Sequence, residues 1–161
     1  MKGEKKTVNG EVPSTVTING LELRKKFASI YDTFGSDIGL ETNGVWIVYE
    51  LEKGGEFEIK IKRGGSRNVE WRRIYNQVFK AHDKDKLTEQ ESQFLLAEVY
   101  SRSFVVDWRN LKDSEGKDVP FNVKNCMELL CFMPELLTKI INDAHARANF
   151  QMLEMETTAK N

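Results

Sequence analysis

The spacing of apolar side chains divides the sequence into a β-rich first part and a helical second part. Residues 45–51 form a run of mostly β-branched and aromatic residues, and residues 56–62 alternate strictly between charged and apolar positions. A period of two is typical of a strand with one buried face and one solvated face. Because Gly54 and Gly55 lie between the two runs, the pattern predicts a β-hairpin over residues 45–62.

A period close to 3.6 begins after residue 68 and predicts two amphipathic helices. The first carries an apolar stripe that starts at Trp71 and ends at Phe79. Thr88 and Glu91 have capping-box spacing at the start of the second, which runs to about Phe104. We expect the second helix to be buried on a broad face that includes Phe94, Leu95, Leu96, Ala97, Val99 and Tyr100.

Turn and capping signals predict two further helices. Residues 113–116 have the composition of a turn. Asn122 is the predicted N-cap of a third helix that continues to Phe132. Pro134 suits the first turn of a fourth helix, which we expect to end near Phe150.

The beginning of the sequence is less regular. Residues 15–18 are a short β-type run, and Asn19-Gly20 is a turn dipeptide, so residues 21–24 are expected to return as a partner strand. Residues 25–37 fit either a short helix or an irregular loop.

These elements predict an α+β fold in which an N-terminal β-hairpin region is followed by a bundle of about four helices. We expect a flexible arm over residues 1–14, a single domain over residues 15–155 and a flexible tail over residues 156–161. The length suits one domain of ordinary size.

Composition and charge narrow the function classes. The 161 residues include 24 basic and 25 acidic side chains, which gives a net charge of −1. Nucleic-acid binders usually have a basic excess, because phosphate neutralisation drives their affinity. No apolar run approaches the roughly 20 residues that a membrane span needs, and the mean hydropathy is −0.51. We therefore expect a soluble protein without membrane contact, for which nucleic acid is not the favoured partner.

Residues that carry catalytic or metal chemistry are few. The two histidines, His82 and His145, are far apart in the sequence. A calcium loop starting at Asp83 would need Gly and an acid where Thr88 and Phe94 stand. We therefore expect a non-enzymatic protein without catalytic residues, metal or cofactor.

The two cysteines, Cys126 and Cys131, fall five residues apart in a predicted helix. This spacing places them on different faces, which predicts two free thiols that mainly fill the core. Free thiols favour a reducing compartment.

One basic cluster has two interpretations. A strand face and a helix face that both lie in solvent explain it most simply. The alternative is a patch that holds nucleic acid or an acidic protein surface. The cluster consists of Lys60, Lys62, Arg63, Arg67, Arg72 and Arg73.

A Gly-Val-Trp strand precedes a basic strand over residues 57–63, and helices follow. Further along the chain come Trp108, Gly116, Pro120-Phe121 and then Pro134-Glu135-Leu136. This order of features, from about residue 21 to residue 150, resembles the small tail assembly chaperones of long-tailed bacteriophages. The resemblance implies a non-enzymatic factor in the cytoplasm of the infected host. It further implies binding to the tape-measure protein, to tail-tube subunits, or to both.

Two interpretations of the apolar helix residues stay open. They can form a groove for an apolar helical partner, or they can be core residues of the helices, which we favour. We expect Trp108, Pro120 and Phe121 to act as a structural joint between helical layers. The candidate partner-binding residues are Trp108, Pro120, Phe121, Leu136, Leu137, Ile140 and Ile141.

Two rival functions remain beside the chaperone. A structural protein of the phage head, neck or tail would contact other virion subunits and stay in the particle. A nucleic-acid-binding protein would use the basic cluster between Lys60 and Arg73. Self-association into a homo-oligomer is left open.

Overall fold

The computed structural model of the chain describes residues 20–151, which belong to two compact units, residues 20–34 and residues 35–151. The first unit contains two short helices, α1 (Gly20–Lys26) and α2 (Ala28–Phe34). Within it, the guanidinium of Arg24 lies 5.8 Å from the centroid of the Tyr31 ring. The sequence left a short helix or an irregular loop open for residues 25–37. Because residues 28–34 form α2, the helix is the correct alternative for most of that range.

The predicted strand over residues 21–24 is wrong, because these residues lie inside α1. Glu22 in the first turn and basic residues in the last turn match the helix dipole, which favours a helix here. The predicted partner strand at residues 15–18, the arm and the tail lie outside the described residues. The single domain over residues 15–155 stays a prediction.

The larger unit contains a three-stranded antiparallel sheet in the order β1-β2-β3. The predicted hairpin is confirmed as β1 (Val45–Glu50) and β2 (Glu56–Ile61). Gly54 and Gly55 have φ angles of 93° and 92°, which only glycine adopts at little cost. The hairpin turn therefore depends on these two glycines.

The third strand, β3 (Val105–Arg109), was not predicted. It follows the second predicted helix directly and has five residues, too few to show a clear period of its own. It pairs with β2, with Trp108 opposite Ile59, and a register irregularity falls between Lys60 and Ile61. The strand conformation of β3 therefore depends on backbone pairing with β2 of the hairpin.

The four helices predicted after the hairpin are confirmed, and a short one before it, α3 (Ile38–Asn43), was missed. Asp37 caps α3 by accepting a hydrogen bond from the Leu40 amide at 2.9 Å. The last helix ends at His145, and a separate 3₁₀ turn covers Arg147–Phe150. None of the helices between residues 20 and 151 is long and apolar enough to cross a membrane. The confirmed helices are α4 (Val69–Lys80), α5 (Glu89–Ser103), α6 (Val123–Phe132) and α7 (Pro134–His145).

The core of the larger unit lies between the inner face of the sheet and the helices. Its fully buried side chains are contributed by β2, α5, α6, α7 and the final 3₁₀ turn. A second cluster fills the space between α4 and α5. The main cluster includes Ile59, Ile61, Phe104, Leu130, Ile140 and Phe150. The fold is therefore α+β, as the sequence predicts.

Candidate protein-binding surface

An apolar surface lies along the first half of α5, between the α6–α7 junction on one side and the α4–α5 connection on the other. It consists of two depressions of about 540 and 450 Å³ that share Gln90 and Phe94. We call this the Phe94 surface. The first depression is lined by Glu89, Gln90, Gln93, Phe94, Cys131, Phe132 and Pro134. The second is lined by His82, Leu87, Gln90, Glu91, Phe94 and Leu95.

Phe94 projects into solvent because of the apolar run in α5. Residues 94–97 are four consecutive apolar residues, and four successive positions of a helix span most of its circumference. Leu95 and Ala97 face the core, whereas Phe94 keeps 50% of its side chain exposed. The prediction that Phe94 belongs to the buried face is therefore wrong. The length of the apolar run was the signal that one member must point outward.

Phe132 is placed by the sharp change of direction between α6 and α7. Met133 ends α6 and precedes Pro134, the first residue of α7, with φ −126° and ψ 73°. Phe132 is 82% exposed and Met133 is 51% exposed. The Nε2 of Gln93 donates to the Leu130 carbonyl oxygen at 3.3 Å, which holds α5 against α6 beneath the surface. Two aromatic rings and a flexible thioether thus remain in water at one place.

The rim of the Phe94 surface carries carboxylates. Among the described residues, no Lys or Arg lines either depression, whereas Glu89 and Glu91 line one each. The backbone amide of Thr88 donates to Glu91 at 2.8 Å, and the Glu91 amide donates to the Thr88 hydroxyl at 3.1 Å. The first of these bonds, together with the Thr88 side chain, lowers the pKa of Glu91. The predicted capping box is therefore present, and it holds one rim carboxylate in its charged form.

The two thiols occupy different environments. Cys126 is buried, and burial raises its pKa to about 11, so that it stays protonated at neutral pH. Cys131 is half-buried and lines the larger depression. Within residues 20–151, no group of three or more His, Cys, Asp or Glu side chains is placed to hold a metal ion.

Trp108 on β3 contacts the Val119–Phe121 segment that leads into α6. Trp108 is 6% exposed, and its ring meets that of Phe121 edge-on, with 5.1 Å between their centroids. Its indole N–H donates to the Val119 carbonyl oxygen. Pro120 is exposed, and its carbonyl oxygen accepts from the Asn125 side chain in the first turn of α6. These contacts link β3 to the first turn of α6, and the role of a joint between helical layers stays a prediction.

The predicted partner-binding residues of α7 mainly face the core. Leu137 and Ile140 belong to the main core cluster and are 4% and 0% exposed. Leu136 and Ile141 are half-buried and pack against that cluster. Their part in partner binding stays a prediction. Sequence reasoning did not single out Phe94 on α5 or Phe132 at the end of α6 as exposed, whereas it did name Met133 as an adaptable contact residue.

The basic cluster contains an acid that sequence reasoning did not find. Glu41 on α3 is 7% exposed and lies 3.3 Å from the guanidinium of Arg67 and 3.9 Å from that of Arg63. The hydroxyl of Ser36 also donates to it. A shallow groove of about 300 Å³ in this region is lined by Glu41, Lys62, Arg63 and Arg67 among others. Glu41 therefore pairs with two of the six cations that the sequence places there.

The remaining cations of the cluster are spread over several contacts. Arg73 pairs with Glu70 at 2.8 Å, which raises the pKa of Arg73 and lowers that of Glu70. Arg72 donates to the Ser66 carbonyl oxygen at 3.4 Å. The ammonium of Lys60 lies 5.9 Å from the centroid of the Trp46 ring. The six cations therefore do not form one unpaired basic surface.

The sequence model of a protein family described as YdaY prophage protein matches residues 66–161, more than half of the chain. The chain belongs to the YdaY prophage protein family. The match begins just after β2 and takes in α4, α5, β3, α6 and α7. All residues of the Phe94 surface lie inside the matched region, whereas Glu41 and the β1–β2 hairpin lie outside it.

Neither the curated proteins nor the solved structures give a significant match to this YdaY-family chain. The phage origin that the sequence resemblance implied is confirmed by family membership. The family description does not extend to tail assembly or to a chaperone role.

Proposed function

We propose that this YdaY-family chain is a non-enzymatic phage assembly factor that binds an apolar helical segment of another phage protein through the Phe94 surface. The finer assignment is a tail assembly chaperone that acts in the cytoplasm of the infected host. Its clients are then the tape-measure protein, the tail-tube subunits, or both.

The exposure of Phe132 beside Phe94 carries this proposal. Single surface hydrophobics are ordinary, but large apolar side chains clustered around depressions mark interaction sites. Phe132 is 82% exposed, and Met133 beside it is 51% exposed. Exposed aromatic rings and methionine are typical of surfaces that accept varied helical partners. A factor that must hold an apolar client and later release it needs such a surface.

The shape and charge of the surface indicate the chemistry of the client. Two depressions on either side of Phe94 suit side chains that project from successive turns of one helix. Glu89 and Glu91 on the rim favour a client with basic residues beside its apolar stripe. The expected client is an amphipathic helix with an apolar stripe and flanking Lys or Arg. The sequence resemblance to tail chaperones points to the tape-measure protein as its source.

Co-purification of the chain with the tape-measure and tail-tube proteins of the same prophage tests the proposal. We expect the wild-type chain to retain at least one of them. Phe132→Asp should abolish retention, because it places a charge where the client buries its apolar stripe. Val69→Asp is the matched control, because Val69 is 70% exposed on α4, away from the Phe94 surface. Binding to neither protein would exclude the chaperone role.

Mass spectrometry of purified phage particles separates the chaperone from a structural virion protein. A chaperone is absent from the finished particle, whereas a structural subunit is present in fixed copy number. The nucleic-acid alternative is less well supported, because Glu41 and Glu70 pair with Arg67 and Arg73 of the basic cluster.

A further inference from the structure

The first strand of the sheet has an open edge. β1 pairs with β2 on one side, and no other strand among the described residues pairs with it on the other. The amide of Leu51 donates to the Gly55 carbonyl oxygen at 2.9 Å, which makes these two residues a hydrogen-bonded pair. Because such pairs alternate along an antiparallel ladder, Val45, Ile47 and Tyr49 direct their backbone groups toward β2.

The intervening residues, Trp46, Val48 and Glu50, therefore direct their N–H and C=O groups away from the sheet. No described residue outside the hairpin donates to these backbone groups or accepts from them. Natural sheets commonly protect such an edge with Lys, Pro or a bulge. β1 has the sequence Val-Trp-Ile-Val-Tyr-Glu and contains none of these. An unprotected edge of this kind is a template for a further strand.

The side chains of the same three residues share the outer face of the sheet. At one end, the Arg109 guanidinium, which also pairs with Glu58 of β2 at 2.6 Å, lies 3.8 Å from the centroid of the Trp46 ring, and the Lys60 ammonium lies 5.9 Å from that centroid. At the other end is Glu50, which is exposed. Val48, in the middle, is 49% exposed. The outer face beside β1 thus has cations of β2 and β3 at one end, an apolar residue at the centre and Glu50 at the other end.

We propose that β1 pairs with β1 of a second copy of this chain, antiparallel and with Val48 opposite the partner's Val48. This register turns the two outward-facing sets of backbone groups toward each other. It also places Glu50 opposite the partner's Trp46, beside the cations that contact that ring. The two-fold axis repeats this contact, and the two sheets join into one six-stranded sheet.

The pattern of charge favours a second copy over an unrelated peptide. An antiparallel two-fold pairing always sets one end of a strand against the other end of its copy. β1 carries Glu50 at one end and, at the other, Trp46 beside Lys60 of β2 and Arg109 of β3, with the apolar Val48 between them, so the outer face at this edge complements its own copy. The inference is independent of the Phe94 surface, which lies on other elements.

Disulfide trapping tests the register. In a hydrogen-bonded antiparallel pair the facing Cα atoms are about 5.5 Å apart, within the range of a disulfide. In a Cys131→Ser background, which removes the accessible native thiol, Val48→Cys should give a covalent dimer, with twice the chain mass of 18.6 kDa, under mild oxidation. Glu56→Cys is the matched control, because Glu56 is exposed on β2, one strand away from the proposed axis. Equal cross-linking of both variants, or of neither, would contradict the register.

The mass of the native chain in solution, measured by light scattering over a range of concentrations, tests the dimer itself. Val48→Pro removes the outward amide and should give a monomer, whereas Val48→Thr keeps the amide and should stay dimeric. Glu50→Lys leaves the backbone intact but places a lysine beside the cations that surround the partner's Trp46. The repulsion between these like charges should weaken dimerisation by about tenfold or more. A wild-type chain that stays monomeric, or a Glu50→Lys variant that dimerises normally, would overturn the proposal.

Discussion

The indole N–H of Trp108 donates a hydrogen bond to the carbonyl oxygen of Val119 at 2.7 Å. Trp108 lies on β3, and Val119 precedes the Pro120-Phe121 pair that leads into α6. The indole N–H supplies the donor for this half-buried carbonyl, while the ring itself packs in the main core cluster. This bond ties the third strand to the entry of the helix that carries Phe132.

Trp108→Ala should reduce the free energy of unfolding by about 3–5 kcal/mol, because it leaves a large cavity and an unpaired carbonyl. Trp108→Phe keeps most of the packing and should cost about 1 kcal/mol, because the half-buried Val119 carbonyl oxygen loses its donor. Urea denaturation measures both changes. Phe132→Ala is the control, because that ring is 82% exposed, and its change should stay within about 0.5 kcal/mol. Equal losses for Trp108→Ala and Phe132→Ala would contradict the assignment of Trp108 to the core.

The buried carboxylate of Glu41 gives a second prediction. Glu41→Gln leaves Arg63 and Arg67 without their shared anion, and we expect a loss of about 3 kcal/mol, at the lower end for a broken buried pair. Arg67 is 56% exposed and keeps its hydration, which limits the loss. Glu70→Gln is the control, since the Glu70–Arg73 pair is exposed and should contribute little. If the two variants were equally stable, the Glu41 cluster would have no structural role.

The elements with a long, clean period were predictable from the sequence. The β1–β2 hairpin, α4 and the capping box at Thr88 and Glu91 follow from local pattern and local hydrogen bonds. β3 could not be predicted in the same way, because a five-residue strand becomes stable only beside a partner that is distant in sequence.

The candidate site was less predictable than the fold. Periodicity identifies which stripe of a helix is apolar, but it does not say which apolar residue is left uncovered. Phe94 and Leu95 are neighbours in sequence, yet one is 50% exposed and the other 8% exposed. The long-range pairing of Glu41 with Arg67 was equally hidden, because the two residues lie 26 positions apart.

The capping box predicts a pH dependence of stability. The Thr88 backbone amide lowers the pKa of Glu91 in the folded chain below its unfolded value of about 4.3. A lowered folded pKa contributes stability above the unfolded pKa, and this contribution is lost as pH falls through the folded pKa. Glu91→Gln should therefore lose part of the acid sensitivity of unfolding below about pH 4. Thr88→Ser keeps both capping bonds and should retain the acid sensitivity of the wild-type chain. If the stability of Glu91→Gln fell with decreasing pH as steeply as that of the wild-type chain, the predicted role of Glu91 would be ruled out.

The two thiols should differ in reactivity. Cys131 is half-buried on the Phe94 surface, whereas Cys126 is buried with its pKa raised to about 11. A thiol reagent at neutral pH should therefore label one cysteine rapidly in the native chain and both after unfolding. Cys131→Ser should remove the rapid phase, and a bound client should slow it in the wild-type chain. Rapid labelling that survives Cys131→Ser would show that Cys126 is accessible.

The most direct test of client binding through the Phe94 surface is titration calorimetry with the tape-measure protein of the same prophage. We expect a negative heat-capacity change on binding, because apolar surface is buried. Phe94→Ala combined with Phe132→Ala should weaken binding by about thirtyfold or more, as expected for central aromatic contacts. Val69→Ala should bind like the wild-type chain. Binding of equal strength by the double variant and the wild-type chain would contradict the account.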